Sequence, residues 1–511
     1  MPTKLWHRQQ ALIRQPFQGL DRSGSTEDLS EKASSVARCA FQQGYVEKKA
    51  GRTAVGGTDS APLPSGIEHL YNYKKLDSTQ RLLAWTATGV YNYAAAGTSL
   101  TNITGSATLH NTLGPISAVT YVNKMYFTNS CPDETPWYWS IGDAAITALG
   151  GSYQCRILGT YGERLIMLDT YEGGVWNGQR MRWSNVGNTT FSSGDFVDLV
   201  SFLGDDEIVG CAQLQSSFII YGRRHILECS YTGSTTNPFA FTLRDANIGL
   251  SSLRGLFAER STHYFLSADG LYTFDLSLTA KPFDQKVREW FLANSNKAYW
   301  VKYVMSKNEL TSEILLYYTN AGSSANDRVL CFNTRTGVWT EDSRSCTCAC
   351  YGGPTGQLTI DELSGTINAQ TGTIDDLGQP TSVTVTYVGD STGTVWKDWS
   401  GTNIGAAASI LDYETKDFTF EDDGGSCWMA VEFLALGSTV TVSYSTDEGT
   451  TWTSLTATTL TAAWVRYRLD FESIGKAFRV RFYNSVVDET VQLRWFRLYV
   501  LRTSSGGTLP T

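Results

Sequence analysis

Charge is scarce in this 511-residue chain: Asp, Glu, Lys and Arg make up 18% of it, against roughly 25% in ordinary globular proteins. What charge there is nets to −9, so the basic face or stripe of a duplex-DNA reader is not expected. Proline is also sparse, 12 residues against 47 glycines, which favours tight turns between strands over extended polyproline linkers. No apolar run approaches the ~18 residues of a membrane-spanning helix. The opening Met1-Pro2-Thr3-Lys4-Leu5-Trp6-His7-Arg8 carries no apolar core of the kind a signal peptide has, so assembly in a cytoplasm is the expectation. P-loop, G-x-S-x-G and H-E-x-x-H patterns are all missing, so a hydrolase would have to do without a readable motif. With 41% apolar and 12% aromatic residues, wholesale disorder is excluded. The ten cysteines lie mostly inside apolar runs and read as small buried hydrophobes, because a disulfide framework belongs to small secreted chains.

The length exceeds the ~250–300 residues that one hydrophobic core supports, so several domains are expected. Residues 1–60 hold too few apolar side chains for a core of their own. They read as an arm that orders against the same chain or a neighbour, with a short helix over 28–40 placing Leu29, Ala33, Val36, Ala37 and Ala40 on one face. A second helix is expected over 284–293, with Asp284 as N-cap and Val287, Trp290 and Phe291 together. Everything else reads as strand. Between 61 and 403 an apolar strand repeatedly reaches a Gly-bearing turn and returns through an aromatic strand, about once per 40–50 residues. Instances are Leu83–Tyr91, Tyr264–Phe274, Leu330–Trp339 and Tyr387–Trp396. That period is the length of a four-stranded propeller blade, so 61–403 reads as a β-propeller of six or seven degenerate blades; stacked sandwiches would use the same hairpins. Small residues over Gly401–Ala408 suggest a linker, 404–503 reads as a β-sandwich, and 504–511 as a flexible tail. The expected class is therefore all-β: propeller, N-terminal arm and C-terminal sandwich.

Candidate chemistry is thin. Ser445-Thr446-Asp447-Glu448-Gly449-Thr450-Thr451-Trp452 looks like the Asp-box of sialidases and related propeller proteins, and reads as a structural hairpin staple far more readily than as a sign of sugar hydrolysis. Glycoside hydrolysis needs two carboxylates, one of raised pKa. The pairs Asp205-Asp206, Asp375-Asp376 and Asp422-Asp423 sit in turn-like contexts and read as solvated. Cys346-Thr347-Cys348-Ala349-Cys350 puts three thiols on one face of a strand, which reads as buried packing; a C-x-C-x-C strand cannot wrap one zinc ion. The five histidines, His7, His69, His110, His225 and His263, are scattered. Two copies of Thr-Ile-Asp-[Glu/Asp]-Leu, at 359–363 and 373–377, read as turn-and-anchor pieces and not as calcium loops. No residue is assigned a catalytic, cofactor-binding or metal-ligating role.

Taken together, the pieces resemble the propeller-bearing tail proteins of short-tailed bacteriophages, the nozzle (tail tubular) proteins and the packaged-DNA stabilisation proteins. The residues that carry the resemblance are Phe17-Gln18-Gly19-Leu20-Asp21, Ala37-Arg38, Gly44-Tyr45-Val46 and Lys49-Ala50-Gly51 in the arm. Ser267–Asp275 and Val388–Trp396 are similar to blade hairpins of those proteins, and the Thr-Ile-Asp-Asp-Leu pieces also occur there. The family's commoner Arg-Pro-Gly is Lys49-Ala50-Gly51 here. The resemblance implies a structural virion protein with no enzymatic activity, assembled in the host cytoplasm. It would form a homo-oligomeric, hexameric ring below the portal and adaptor, with tail fibre or needle proteins nearby. Viral double-stranded DNA would pass through it without specific binding. Six copies at −9 each would carry about −54, and acidic side chains are expected to outnumber basic ones on the channel wall, to which phosphates then do not adhere. The alternative is a receptor- or glycan-binding tail adhesion protein, with Trp428, Trp452, Trp464 and Trp495 as stacking candidates for a host surface glycan.

Overall fold

The structure is a computed structural model, and it describes residues 10–15, 17, 19–23, 34–42, 44–55, 62–93, 100–234, 237–352, 385–419, 426–475 and 477–502. β-Branched and aromatic runs punctuated by Gly, Asn and Ser fold into seven antiparallel meanders whose first strands are Ile67–Lys74, Ser117–Tyr121, Gln154–Tyr161, Ile208–Leu214, Leu256–Ala258, Val304–Asn308 and Cys348–Tyr351. Each first strand lies against that of the next sheet, and Cys348–Tyr351 lies against Ile67–Lys74, so the sheets close into a ring. The middle of the chain is thus a seven-bladed β-propeller.

The repeated hairpins have a packing reason. Three of the four join the second and third strands of a blade, in blades 1, 5 and 7; Leu330–Trp339 joins the third and fourth strands of blade 6. The aromatic that follows each turn fills a gap between blades, where neither sheet alone can bury its face. Tyr272, after the turn of blade 5, shares a core with Ile219 and Tyr221 of blade 4, and between blades 1 and 2 other buried aromatics meet, Trp85 with Phe127 at 5.3 Å and Tyr73 with Trp139 at 5.8 Å. The turn of blade 7 is held by Asp390, which accepts hydrogen bonds from the Thr392 and Thr394 amides at 2.9 Å and from the Trp396 indole at 2.7 Å.

Blade 7 takes its fourth strand from the other end of the chain. Arg52–Ala54 pairs antiparallel with Val395–Asp398, Asp398 opposite Arg52 and Trp396 opposite Ala54. The small-residue stretch expected as a linker adds a further hairpin, Asn403–Ile404 with Ala407–Ala408, to the same sheet. Close approach explains Gly51: a Cβ there would fall 1.9 Å from the Asn403 carbonyl oxygen.

The sandwich is also a joint product of both termini. One sheet runs Ala40–Gln42, Tyr45–Glu47, Val491–Arg502, Ser426–Gly437, Val465–Gly475, with Gln10–Gln15 also paired to Val491–Arg502. The other runs Ser34–Arg38, Leu411–Thr415, Ala477–Asn484, Thr439–Ser445, Thr453–Ser454. Phe17 enters the core between them, 4.7 Å from the Tyr413 ring and 5.5 Å from Phe496. Gly19 and Leu20 lie against blade 6: the Leu20 amide donates to the Trp339 carbonyl at 2.8 Å, and a Cβ on Gly19 would meet Val338 Cγ1 at 2.3 Å.

Four expectations are corrected. The described part of 28–40 is not helical: Ser34–Arg38 and Ala40–Gln42 are strands, because Val36, Ala37 and Ala40 gain a sheet edge to pair with, which local periodicity cannot register. The second helix runs Arg288–Asn294, and Asp284 does not cap it by its side chain; its carboxylate accepts from the Leu271 amide at 2.9 Å and Arg288 Nε at 3.0 Å. The three thiols do not share a face. Cys348 and Cys350 pack towards blade 1, while Cys346, just before the strand, packs towards blade 6. Burial pushes all three up, Cys348 to about 11 and Cys350 to about 12, so none is a ready thiolate. Asp206, read as solvated, is buried. The Thr-Ile-Asp-[Glu/Asp]-Leu pieces, Asp375-Asp376, Asp422-Asp423 and 504–511 lie outside the described residues.

Candidate functional site

One buried polar cluster holds the arm in place. Asp398 is fully buried at the end of the third strand of blade 7. It receives Arg52 Nε at 2.8 Å and Nη2 at 3.3 Å, Arg344 Nη1 at 2.5 Å and the Tyr317 hydroxyl at 2.5 Å. Arg344, also buried, reaches Asp342 at 2.8 Å and the carbonyls of Ala50 and Gly51, and its guanidinium stacks 3.8 Å over Trp399. Burial opposes the Asp398 charge, but Arg52 and Arg344 outweigh it and hold the carboxyl well below its usual range. Lys49 is completely enclosed: its ammonium donates to the Glu341 carbonyl at 3.2 Å. These ion pairs join arm, blade 6 and blade 7, and they face no solvent.

Of the acidic pairs that sequence reading weighed for catalysis, only Asp205-Asp206 lies among the described residues. A cleft of about 390 Å³ beside blades 3 and 4 is lined by Trp176, Arg180, Asp198, Asp205 and Asp206, among others. Arg180 grips Asp198 with bonds of 2.7 and 2.8 Å and lowers its pKa. Burial works against charge on Asp206, yet the His225 ring at 2.8 Å and the amides of Arg224, Glu207 and Arg223 hold it low as well. A general acid needs the reverse shift. In the Asp-box stretch, Asp447 accepts from the Ser445 hydroxyl at 2.6 Å and the Thr451 amide at 2.8 Å, which lowers it to about 2 and staples the turn. Of the tryptophans offered for sugar stacking, Trp495 is buried and Trp464 packs on Tyr45 at 5.9 Å.

One sheet edge is long and solvent-facing. Val465–Gly475 is an edge strand that pairs, among the described residues, with Ser426–Gly437 alone. At 11 residues it is about twice the usual strand length and carries no proline, although its register shifts between Asp470 and Ser473, where two residues face one of the partner strand. Tyr467, Leu469 and Phe471 point inward and are only half-buried, with Phe471 stacked on Tyr444 at 4.7 Å. Arg466, Arg468, Asp470 and Glu472 line the outer face, with Ile474 53% exposed beyond them. That 404–503 would supply sandwich strands was readable; that Val465–Gly475 would lie at the edge was not, since sheet order depends on where the arm inserts. Sequence reading also missed that His110 meets Cys131 and Glu134, because the first lies in a blade connector and the others in a turn.

No family model matches the chain, and no curated protein sequence matches it. Solved structures do resemble it at the level of fold. YCF48 from Cyanidioschyzon merolae is 10% identical over 68% of this chain and 98% of that one, with a TM-score of 0.39. The extracellular domain of a hybrid two component system from B. thetaiotaomicron is 10% identical with a TM-score of 0.40; the match covers 68% of this chain and 39% of that one. Exo-β-1,3-galactanase from Phanerochaete chrysosporium is 10% identical over 82% of this chain and all of its own length, with a TM-score of 0.27. At such scores the likenesses say nothing of what this chain binds or does.

Proposed function

We propose that this chain is a non-enzymatic structural protein of the virion of a short-tailed phage, the subunit of a tail nozzle ring that continues the DNA exit channel and helps to retain and then eject the genome. The observation that supports this best is the open edge strand Val465–Gly475 on a body whose buried ion pairs serve its own cohesion. An edge that pairs with one strand alone among the described residues, with a half-buried aromatic row, is a template for a strand or loop of a neighbouring copy, and repeated contacts of that kind close into rings. Arm residues tie propeller and sandwich into one block, as a wall that must stay intact under genome pressure requires. Tail partners above and below, and the DNA that passes, follow from the same reading.

Mass photometry of the purified chain and of a variant carrying both Arg466→Glu and Arg468→Glu tests the assembly surface. The unaltered chain is expected as a discrete oligomer of its 56.3 kDa subunit, and the charge-reversed variant as folded monomers. Oligomers that survive the reversal would place the contact elsewhere, and an unaltered chain that stays monomeric at every concentration would count against a ring.

A further inference from the structure

The connector between blades 1 and 2 and the turn between the second and third strands of blade 2 bring together three side chains of the kind that bind transition metals. One ring nitrogen of His110, the thiol sulfur of Cys131 and one carboxylate oxygen of Glu134 all lie within 4.8 Å of one another. A tetrahedral zinc ion, with bonds of about 2.0–2.3 Å, holds its ligand atoms about 3.3–3.8 Å apart. The three atoms need to move little, and the one with freedom to move is suited to it: the His110 side chain is 55% exposed, Glu134 is 8% exposed, and Cys131 is buried.

The surroundings are arranged around the carboxylate. Glu134 Oε2 accepts from Asn129 Nδ2 at 2.8 Å and from the Trp137 indole at 3.0 Å, which fixes the plane of the group. Oε1 accepts from the His110 amide at 3.1 Å and stands 2.5 Å from His110 Nδ1. Asn129 also accepts from the Cys131 amide at 3.3 Å and donates to Asn111 at 3.5 Å, while Asn111 donates to the Thr86 carbonyl at 2.8 Å. Connector and turn are therefore pre-aligned by polar partners that a metal ligand set also uses.

We propose that His110, Cys131 and Glu134 bind one zinc ion, which clips the connector after blade 1 to the turn of blade 2. The ion enters from the solvent side, separates Nδ1 from Oε1 by rotation of the exposed ring, and takes water as its fourth ligand. One nitrogen, one sulfur and one oxygen form a set that suits Zn²⁺ and disfavours Mg²⁺ or Ca²⁺, which take oxygen. The proposal is independent of the ring assembly.

The test uses the full chain, loaded with Zn²⁺, desalted and measured by elemental mass spectrometry, with Co²⁺ as the spectroscopic probe. One equivalent of zinc per chain is expected, with a thiolate-to-cobalt charge-transfer band in the Co²⁺ form. Cys131→Ser removes that band, and His110→Ala, at an exposed side chain where folding is not at stake, weakens zinc retention at least tenfold. Cys350→Ser, at another buried thiol, leaves both readouts unchanged. Zinc below stoichiometry in the unaltered chain, or equal retention in His110→Ala, overturns the proposal.

Discussion

Asp398→Ala is expected to destabilise the protein by about 3–5 kcal/mol, the range for removing one partner of a buried ion pair. Without the carboxylate, the guanidiniums of Arg52 and Arg344 and the Tyr317 hydroxyl lose their shared acceptor in a region none of them can leave. Arg344 keeps Asp342, but Arg52 keeps only the Ser345 carbonyl at 2.6 Å. The strand Arg52–Ala54 should then detach first, and blade 7 with it. A lowered denaturation midpoint with early proteolysis between the arm and blade 1 is the expected signature; a midpoint within experimental scatter of the unaltered protein would show that the pair is dispensable. The pH dependence has a definite sign. Because the folded-state pKa of Asp398 is depressed, its contribution is fully present above the unfolded carboxylate value of about 3.9, and is lost only as pH falls through the lower folded value. Mild acid should leave the closure of the ring intact.

Phe17→Ala is expected to cost about 3–5 kcal/mol, with its effect in the sandwich. Phe17 is the arm's anchor there, in contact with Tyr413, Phe482 at 5.7 Å and Phe496, and its neighbours belong to sheets that cannot close over the gap without separating from the strands they pair with. A separate, earlier transition in differential scanning calorimetry would report loosening of the sandwich ahead of the propeller. Destabilisation below about 1 kcal/mol would mean that the arm is held by its backbone pairing and that the ring adds little.

These two residues also mark what could be read in advance. The blade hairpins were legible because Gly turns and aromatic returns are local: Asp269-Gly270-Leu271 and Asp390 to Trp396 carry their own turn geometry. The arm's fate was not, since Ser34–Arg38 becomes a strand only in the presence of Leu411–Thr415, almost four hundred residues later in the chain. The same distance hid the pairing of Arg52 with Asp398, for nothing near either residue distinguishes a buried ion pair from two ordinary surface charges. Gly51 was singled out by resemblance, and its physical reason came with the Asn403 backbone beside it. Asp206 misled because an acidic turn usually faces water, and here the loop Arg223-Arg224-His225 folds over it.

Electron cryomicroscopy of virions that contain this chain tests the central claim most directly. The account predicts a closed ring of copies below the portal, sandwich edges in contact, around a lumen where acidic side chains outnumber basic ones. Density for the chain as an isolated peripheral appendage, or a ring whose channel is lined by lysine and arginine, would contradict it.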